Sequence, residues 1–295
     1  MKAQTDAGAR IERTLSHAIK SASGDAAPPI LAEALAHAVF PGGARVRPRL
    51  CLAVADACDA QSPSAAEGAA AAIELLHCAS LIHDDMPCFD DAPMRRGKPS
   101  IHAAYGEPIA VLAGDAMIVL AFETLARGCV TEPQRLGGLV SVIAQAVGMP
   151  HGIVAGQAWE SEPQVDLAQY QRAKTGALFV GATTAGAIAA GADPGPWRPL
   201  GERLGEAFQV ADDILDVTGD AEALGKPLGQ DAAHARPNAV HTHGLDGAIR
   251  HMGHLVEAAA DAVPDCRGAG MLRELVMLQA KRLGPSVQAA VSAVA

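Results

Sequence analysis

Aromatic side chains are scarce in this sequence: two Trp, two Tyr and five Phe among 295 residues, 3% in all. A β-sandwich or barrel draws on aromatic and β-branched cross-strand pairs, and strand-like alternation is nearly absent here. Basic charge is also short. Lys and Arg number 23 against 33 Asp and Glu, a net charge of −10, which argues against nucleic acid as a partner. The six cysteines (Cys51, Cys58, Cys78, Cys88, Cys129 and Cys266) form no Cys-x-x-Cys pair and no regular spacing. Reduced thiols in a cytoplasmic protein are expected. The first fifteen residues contain no apolar signal core. Two long uncharged stretches, Leu136–Trp159 and Gly176–Ala192, read as buried helices in a soluble protein; no membrane span is expected. Repeats, low-complexity tracts and linkers are missing as well.

What is present is helix after helix. Ala and Gly are abundant, and 49% of residues are hydrophobic against 19% charged, which suits closely packed helices and a large core. Apolar periodicity and breakers place helices near 9–21, 28–39, 45–59, 63–86, 107–128, 133–149, 151–160, 166–192, 197–218, 238–262 and 268–293. Pro41-Gly42-Gly43, Pro87 and Asp193-Pro194-Gly195-Pro196 punctuate them. Ser64-x-x-Glu67 is a capping-box candidate for the helix opening at 63. The expectation is an all-α fold in one domain, 1–295; a small subdomain after 219 is the alternative.

Two acid clusters carry the chemistry. Asp84-Asp85-Met86-Pro87-Cys88-Phe89-Asp90-Asp91 ends one apolar helix, and Asp212-Asp213-Ile214-Leu215-Asp216 ends another. Carboxylates this close repel, and a helix C-terminus disfavours negative charge. Mg²⁺, which prefers oxygen ligands and substrate phosphates, is the simplest compensation. Adjacent residues diverge by about 100° on a helix, so Asp90 must return from the loop to complete a site with Asp84. Asp212 and Asp216 share a face, Asp213 nearly so, and Gln209 lies a turn earlier. His77 lies two turns before Asp84 on the same face. Arg95 and Arg96 are planar forks suited to phosphate oxygens. Lys174-Thr175 interrupts an apolar helix, where a lysine needs a partner. Lys226 and Arg236 lie on a Gly/Pro-containing loop after the second cluster. His241, His243, His251 and His254 offer too few ligands for zinc.

These segments resemble the trans-isoprenyl diphosphate synthases along nearly the whole chain. "LIHDDMPCFDDAPMRRGKPSIH" and "FQVADDILDVTGD" are similar to that family's two aspartate-rich motifs. "PGGARVRP", "AGQAWE", "AKTGALF" and "GKPLGQDAAHARPNAV" follow in the expected order. Details look most like bacterial geranylgeranyl diphosphate synthases of carotenoid pathways. The resemblance implies an isoprenoid-synthase helical bundle around a central cavity, in a homodimer. It implies that Asp84 and Asp90, with Asp85 nearby, hold two Mg²⁺ on an allylic diphosphate, and that Asp212 holds a third, supported by Asp213 and Asp216. Arg95, Lys174, Thr175, Gln209, Lys226 and Arg236 would meet the allylic diphosphate. Arg47, His77 and Arg96 would bind isopentenyl diphosphate. Three residues depart from the family pattern: Ala44 and Arg236 stand where Lys is usual, and Glu160 where Asp is common. Arg45 is a candidate to replace the charge missing at 44.

In such a site, Mg²⁺ and cations stabilise the leaving diphosphate, and an allylic carbocation is attacked by the double bond of isopentenyl diphosphate. The departing diphosphate is implied to take the proton. Ala79, five residues before Asp84, stands where related farnesyl synthases carry an aromatic stop. With Ser80 it leaves room for a longer tail, and Leu76 forms a deeper floor; the expected product is C20. Ala79 merely packing on a neighbouring helix is the plainer reading. A C15 synthase and a catalytically weak regulatory subunit are the alternative functions. A class I terpene cyclase is disfavoured, because its second metal motif has a different pattern.

Overall fold

Proline and glycine set most of the helix boundaries. The computed structural model describes residues 2–218 and 238–278. The long helices are α1 (Lys2–Ala22), α2 (Pro29–Val39), α3 (Val46–Ala57) and α4 (Pro63–Asp84). A two-residue hairpin follows, Met94–Arg95 against Lys98–Pro99. Then come α5 (Ile101–Tyr105), α6 (Glu107–Gly128), α7 (Pro133–Val147) and α8 (Ile153–Trp159). Next are α9 (Leu167–Gln171), a π-helical turn (Arg172–Gly176) and α10 (Ala177–Ala190). A 3₁₀ turn (Gly195–Trp197) leads into α11 (Arg198–Thr218), and α12 (Ala239–Asp261) packs along α11. Residues 269–278 are helical again. Proline near the start of α2, α4, α6 and α7 uses the position where its missing N–H costs nothing.

The all-α reading holds, and most of the expected helices lie within a few residues of those found. Helix α1 begins seven residues earlier than expected, the short α5 is not among the expected helices, and the range expected for the last helix, 268–293, extends beyond the described residues. Two differences are internal. The expected helix 166–192 contains the π turn. The capping box at Ser64 does not form: α4 starts after Ser62, and Glu67 accepts from Arg10 Nε at 2.8 Å.

One hydrophobic cluster runs from Ile11 to Val276. Its centre is α10, which packs on α3, α4, α7 and α11. Ala, Gly and Thr dominate α10, so four neighbours approach it closely. Helices α4 and α6 are the most extensively packed pair. Their seam is built from small residues: a Cβ on Gly68 would lie 3.1 Å from Gly128 Cα, and one on Gly114 would clash with His83 Nε2 at 1.9 Å. Both α4 and α6 are long and apolar enough to cross a membrane by length and composition. In α4, however, 78% of the apolar window is buried inside the protein, against 44% in α6.

Candidate active site

The last turn of α4 and the loop after it form the first acid group. The loop folds back on the helix end: Asp90 N donates to Asp84 O at 3.0 Å, Asp91 N to Met86 O and Ala92 N to Asp85 O, both at 3.1 Å. Asp90 therefore returns to Asp84, and its charge is felt there. Burial raises the Asp84 carboxyl above the usual carboxylate value. Lys174 opposes that shift, and Asp90 adds to it. Asp84 Oδ1 is buried and has no hydrogen-bond partner. An orphaned carboxylate oxygen beside a second acid fits a hard divalent cation.

Asp85 behaves differently. It is 2% exposed, and the Arg95 guanidinium grips its Oδ1, with Nε at 2.8 Å and Nη2 closer still. Arg95 Nη2 stands 3.8 Å from Asp84 Oδ2. The adjacent aspartates diverge as a helix requires, one toward Lys174 and one locked on Arg95.

Lys174 and Thr175 sit on the π turn, and glycines bring two other helices against it. A Cβ on Gly156 of α8 would lie 2.5 Å from the backbone of Lys174. A Cβ on Gly205 of α11 would lie 2.7 Å from Gly176 Cα. This proximity lets side chains meet across the helices. Lys174 Nζ donates to Glu160 Oε1 at 2.5 Å and is 3.6 Å from Asp84 Oδ1. Thr175 Oγ1 donates to Gln209 Oε1 at 2.6 Å.

In the second cluster, Asp212 is exposed and Asp216 half-buried, whereas Asp213 is 2% exposed and turned away. It accepts from Gln209 Nε2 at 2.8 Å and from Ala239 N at 2.7 Å, tying α11 to the start of α12. Lys226 and Arg236 lie outside the described residues. Among the described residues no three acids, histidines or cysteines converge as a ready-made metal site. Mg²⁺ typically takes only one or two carboxylates and completes its shell with water and substrate phosphate, so separate acid groups fit a metal that arrives with a diphosphate.

A third group is basic. Arg47 lies over the Phe179 ring at 4.7 Å, and its Nε is buried without a hydrogen-bond partner. Burial lowers its pKa; Glu74 and Asp212 partly offset this. His77 sits among Arg47, Arg96, Arg95 and Arg45, and burial followed by these charges holds it well below 6.5, hence neutral. Arg96 lies beside Gly43, 3.3 Å from where a Cβ would be. Arg45 does not replace the cation missing at Ala44. Its guanidinium is buried, donating to Glu74 Oε1 (2.6 Å), Glu12 Oε1 (2.9 Å) and Val39 O (2.7 Å). An acid at 74, inside an otherwise apolar run, was the sequence signal for that pair.

On α4, Ser80 shares the stripe of His77 and Asp84, within about 60° on an ideal helix. Ala79 lies on another stripe with Gly68 and His83, the residues that touch α6, and Leu76 falls between the two stripes. Ala79 and Leu76 are both fully buried. A separate cavity of about 1300 Å³ opens beyond α10 and α11. It touches Gln209 and Asp213 but not Asp84, Lys174 or Asp212.

Comparison with known proteins agrees with this geometry. The chain is 54% identical over 281 residues to the geranylgeranyl diphosphate synthase of Cereibacter sphaeroides, covering 95% of this chain and 98% of that one. It is 36% identical to the farnesyl diphosphate synthase of Geobacillus stearothermophilus, covering 84% and 86%. Among solved structures, a geranyltransferase from Helicobacter pylori, complexed with magnesium and isoprenyl diphosphate, superposes with a TM-score of 0.81 at 30% identity, covering 94% of this chain and 97% of that one. Residues 28–266 match the polyprenyl synthetase family, and the chain belongs to it.

Proposed function

We propose that this protein is a Mg²⁺-dependent trans-prenyltransferase that condenses isopentenyl diphosphate with an allylic diphosphate and releases geranylgeranyl diphosphate, C20. The observation that carries the reading is the end of α4. There, a buried, unpartnered carboxylate oxygen of Asp84 lies 3.6 Å from the Lys174 ammonium, in a chain 54% identical to a geranylgeranyl diphosphate synthase. Asp84 and Asp90 would hold Mg²⁺ on one side, and Asp212 with Asp216 on the other, three ions in all. Mg²⁺ bound there would supply the positive charge that the leaving diphosphate needs. Lys174, Thr175 and Gln209 meet the allylic diphosphate. Arg95, aligned by Asp85, joins them, as do Lys226 and Arg236. Arg47 and Arg96 receive the diphosphate of isopentenyl diphosphate, with neutral His77 as a hydrogen-bond donor or acceptor. The departing diphosphate takes the proton.

Ser80 faces the tail of the growing product, and Ala79 and Leu76 set its depth. The whole chain, 1–295, acts as one domain, in the cytoplasm and as a homodimer. All six cysteines are unpaired.

The test is incubation with Mg²⁺, isopentenyl diphosphate and farnesyl diphosphate, with product length read by mass spectrometry. A dominant C20 diphosphate is expected. No extension of farnesyl diphosphate, with C15 formed from dimethylallyl diphosphate, would make it a farnesyl synthase. No extension of either primer would leave the regulatory subunit. Ala79→Tyr is expected to shorten the product to C15; unchanged C20 would leave Ala79 as packing against α6 only.

A further inference from the structure

Among the described residues, three donors reach the carboxylate of Glu160. Tyr170 OH donates to its Oε1 at 2.6 Å, Lys174 Nζ to the same oxygen at 2.5 Å, and Gln157 Nε2 to Oε2 at 3.3 Å. Tyr170 lies four residues before Lys174 on the turn that leads into the π segment, and the Lys174 ammonium is 5.9 Å from its ring. We propose that Tyr170 is a positioning residue for the prenyl-transfer site. Its hydroxyl fixes Glu160, and Glu160 holds the Lys174 ammonium between itself and Asp84, aimed at the allylic diphosphate. The proposal rests on the reading that Lys174 meets that diphosphate.

The physical argument starts from the lysine. Its four-carbon stem has several rotamers, and an ammonium is a point charge with no preferred direction. Something else must fix where it sits. Two acids compete for it, Glu160 at 2.5 Å and Asp84 at 3.6 Å. Asp84 Oδ1 is the stronger lure, because it is buried and has no other hydrogen bond. If Lys174 moved onto Asp84, it would neutralise the oxygen best suited to a cation. It would also withdraw the charge meant for the substrate. Glu160 prevents this only while its own carboxylate stays turned toward Lys174. One more methylene than Asp lets it reach from α8 to the π turn, and adds a rotatable bond. The Tyr170 hydroxyl removes that freedom. A tyrosine suits the role because its ring is rigid and only the hydroxyl has to be placed.

The test uses Tyr170→Phe, which keeps the ring and deletes one hydroxyl, beside Glu160→Asp and Lys174→Met. Isothermal titration with inorganic diphosphate and Mg²⁺ reads binding without turnover, and steady-state kinetics gives KM for each substrate separately. Tyr170→Phe is expected to weaken diphosphate binding and raise KM for the allylic diphosphate by about 10-fold, the scale of a lost hydrogen bond to a charged group. KM for isopentenyl diphosphate, whose basic pocket lies elsewhere, should be unchanged, while the melting temperature falls by only a few degrees. Glu160→Asp should give the same split. Adding Tyr170→Phe to Lys174→Met should cost nothing further. Two results would overturn the positioning role while leaving Lys174 on the diphosphate: Lys174→Met weakens binding but Tyr170→Phe does not, or the two effects simply add. If Lys174→Met leaves diphosphate binding intact, the reading of Lys174 fails and the positioning role with it.

Discussion

Burial raises the carboxyl pKa of both neighbouring aspartates in the first acid group, but they differ in their partners. Asp85 is gripped by Arg95, which offsets part of its burial cost. Asp84 is buried with one oxygen unanswered, and its pKa is raised because burial and Asp90 outweigh Lys174 and Arg95. A carboxyl whose folded pKa lies above its unfolded value binds its proton more readily in the native state. The native state is therefore penalised at neutral pH. The penalty fades as pH falls through the raised value toward the ordinary 3.8. Asp84→Asn should remove it. In metal-free buffer at pH 8 the variant is expected to melt about 2 °C higher than the parent, with the gap closing toward pH 4, while turnover falls by roughly two orders of magnitude. A variant that melts lower at pH 8 would mean that attraction to Lys174 and Arg95 exceeds the cost of burial. Here function is held against stability, as sites poised for a cation often require.

At the scale of elements, the site is a meeting of three backbones around the π turn. Gly156 of α8 and Gly205 of α11 have no side chains to keep them away, and Lys174 and Thr175 are thereby brought to Glu160 and Gln209. Gly156→Ala would put a methyl 2.5 Å from backbone atoms that cannot step aside. Overpacking of that kind costs about 2 kcal/mol, so a fall in melting temperature of about 5 °C is expected. A loss of about 100-fold in kcat/KM should accompany it, since misplacement by an ångström has that scale of effect. Gly137→Ala in α7, where nothing lies within 4 Å, is the control: activity should be unchanged, and the melting temperature should hold or rise slightly, as for an alanine in open helix. A normally active Gly156→Ala enzyme would show that the close approach does not set the geometry.

The helices themselves were legible in the sequence, because 3.6-residue apolar periodicity and Pro/Gly breakers act locally. So was the return of Asp90 to Asp84, which follows from the 100° step between adjacent helical residues. The π turn was not. It registers in no propensity, being a one-residue excess in a run that is otherwise ordinary helix. The difference in burial between Asp212 and Asp213 was also hidden, since it depends on tertiary packing such as that of α12 along α11. Tyr170 was not legible because its partner Glu160, just past the end of α8, meets it only through tertiary packing, and the pairing of Arg45 with Glu74 and Glu12 likewise depends on three helices coming together.

At the scale of the molecule, one helix is out of keeping with the rest. Val111, Leu112 and Val119 of α6 are exposed at 42%, 51% and 68%, with Ile118 and Phe122 half-buried beside them. Their spacing makes a stripe down the outer side of the helix, interrupted by the exposed Asp115, while the inner side packs on α4. A second copy of the chain, turned so that the two stripes meet, would cover both at once, and a closed pair of this kind needs no other partner. It also accounts for the apolar length of α6 without a membrane. Light scattering on the purified protein is then expected to give twice the chain mass, and Leu112→Lys with Val119→Lys should give the monomer. The inner seam of α4 and α6, with Asp84 at the end of α4, is not touched by these changes. Loss of activity on dissociation would therefore mean that the pairing braces the helix bearing the first acid group. A monomeric wild-type protein, or a double variant that still pairs, would rule this stripe out as the interface.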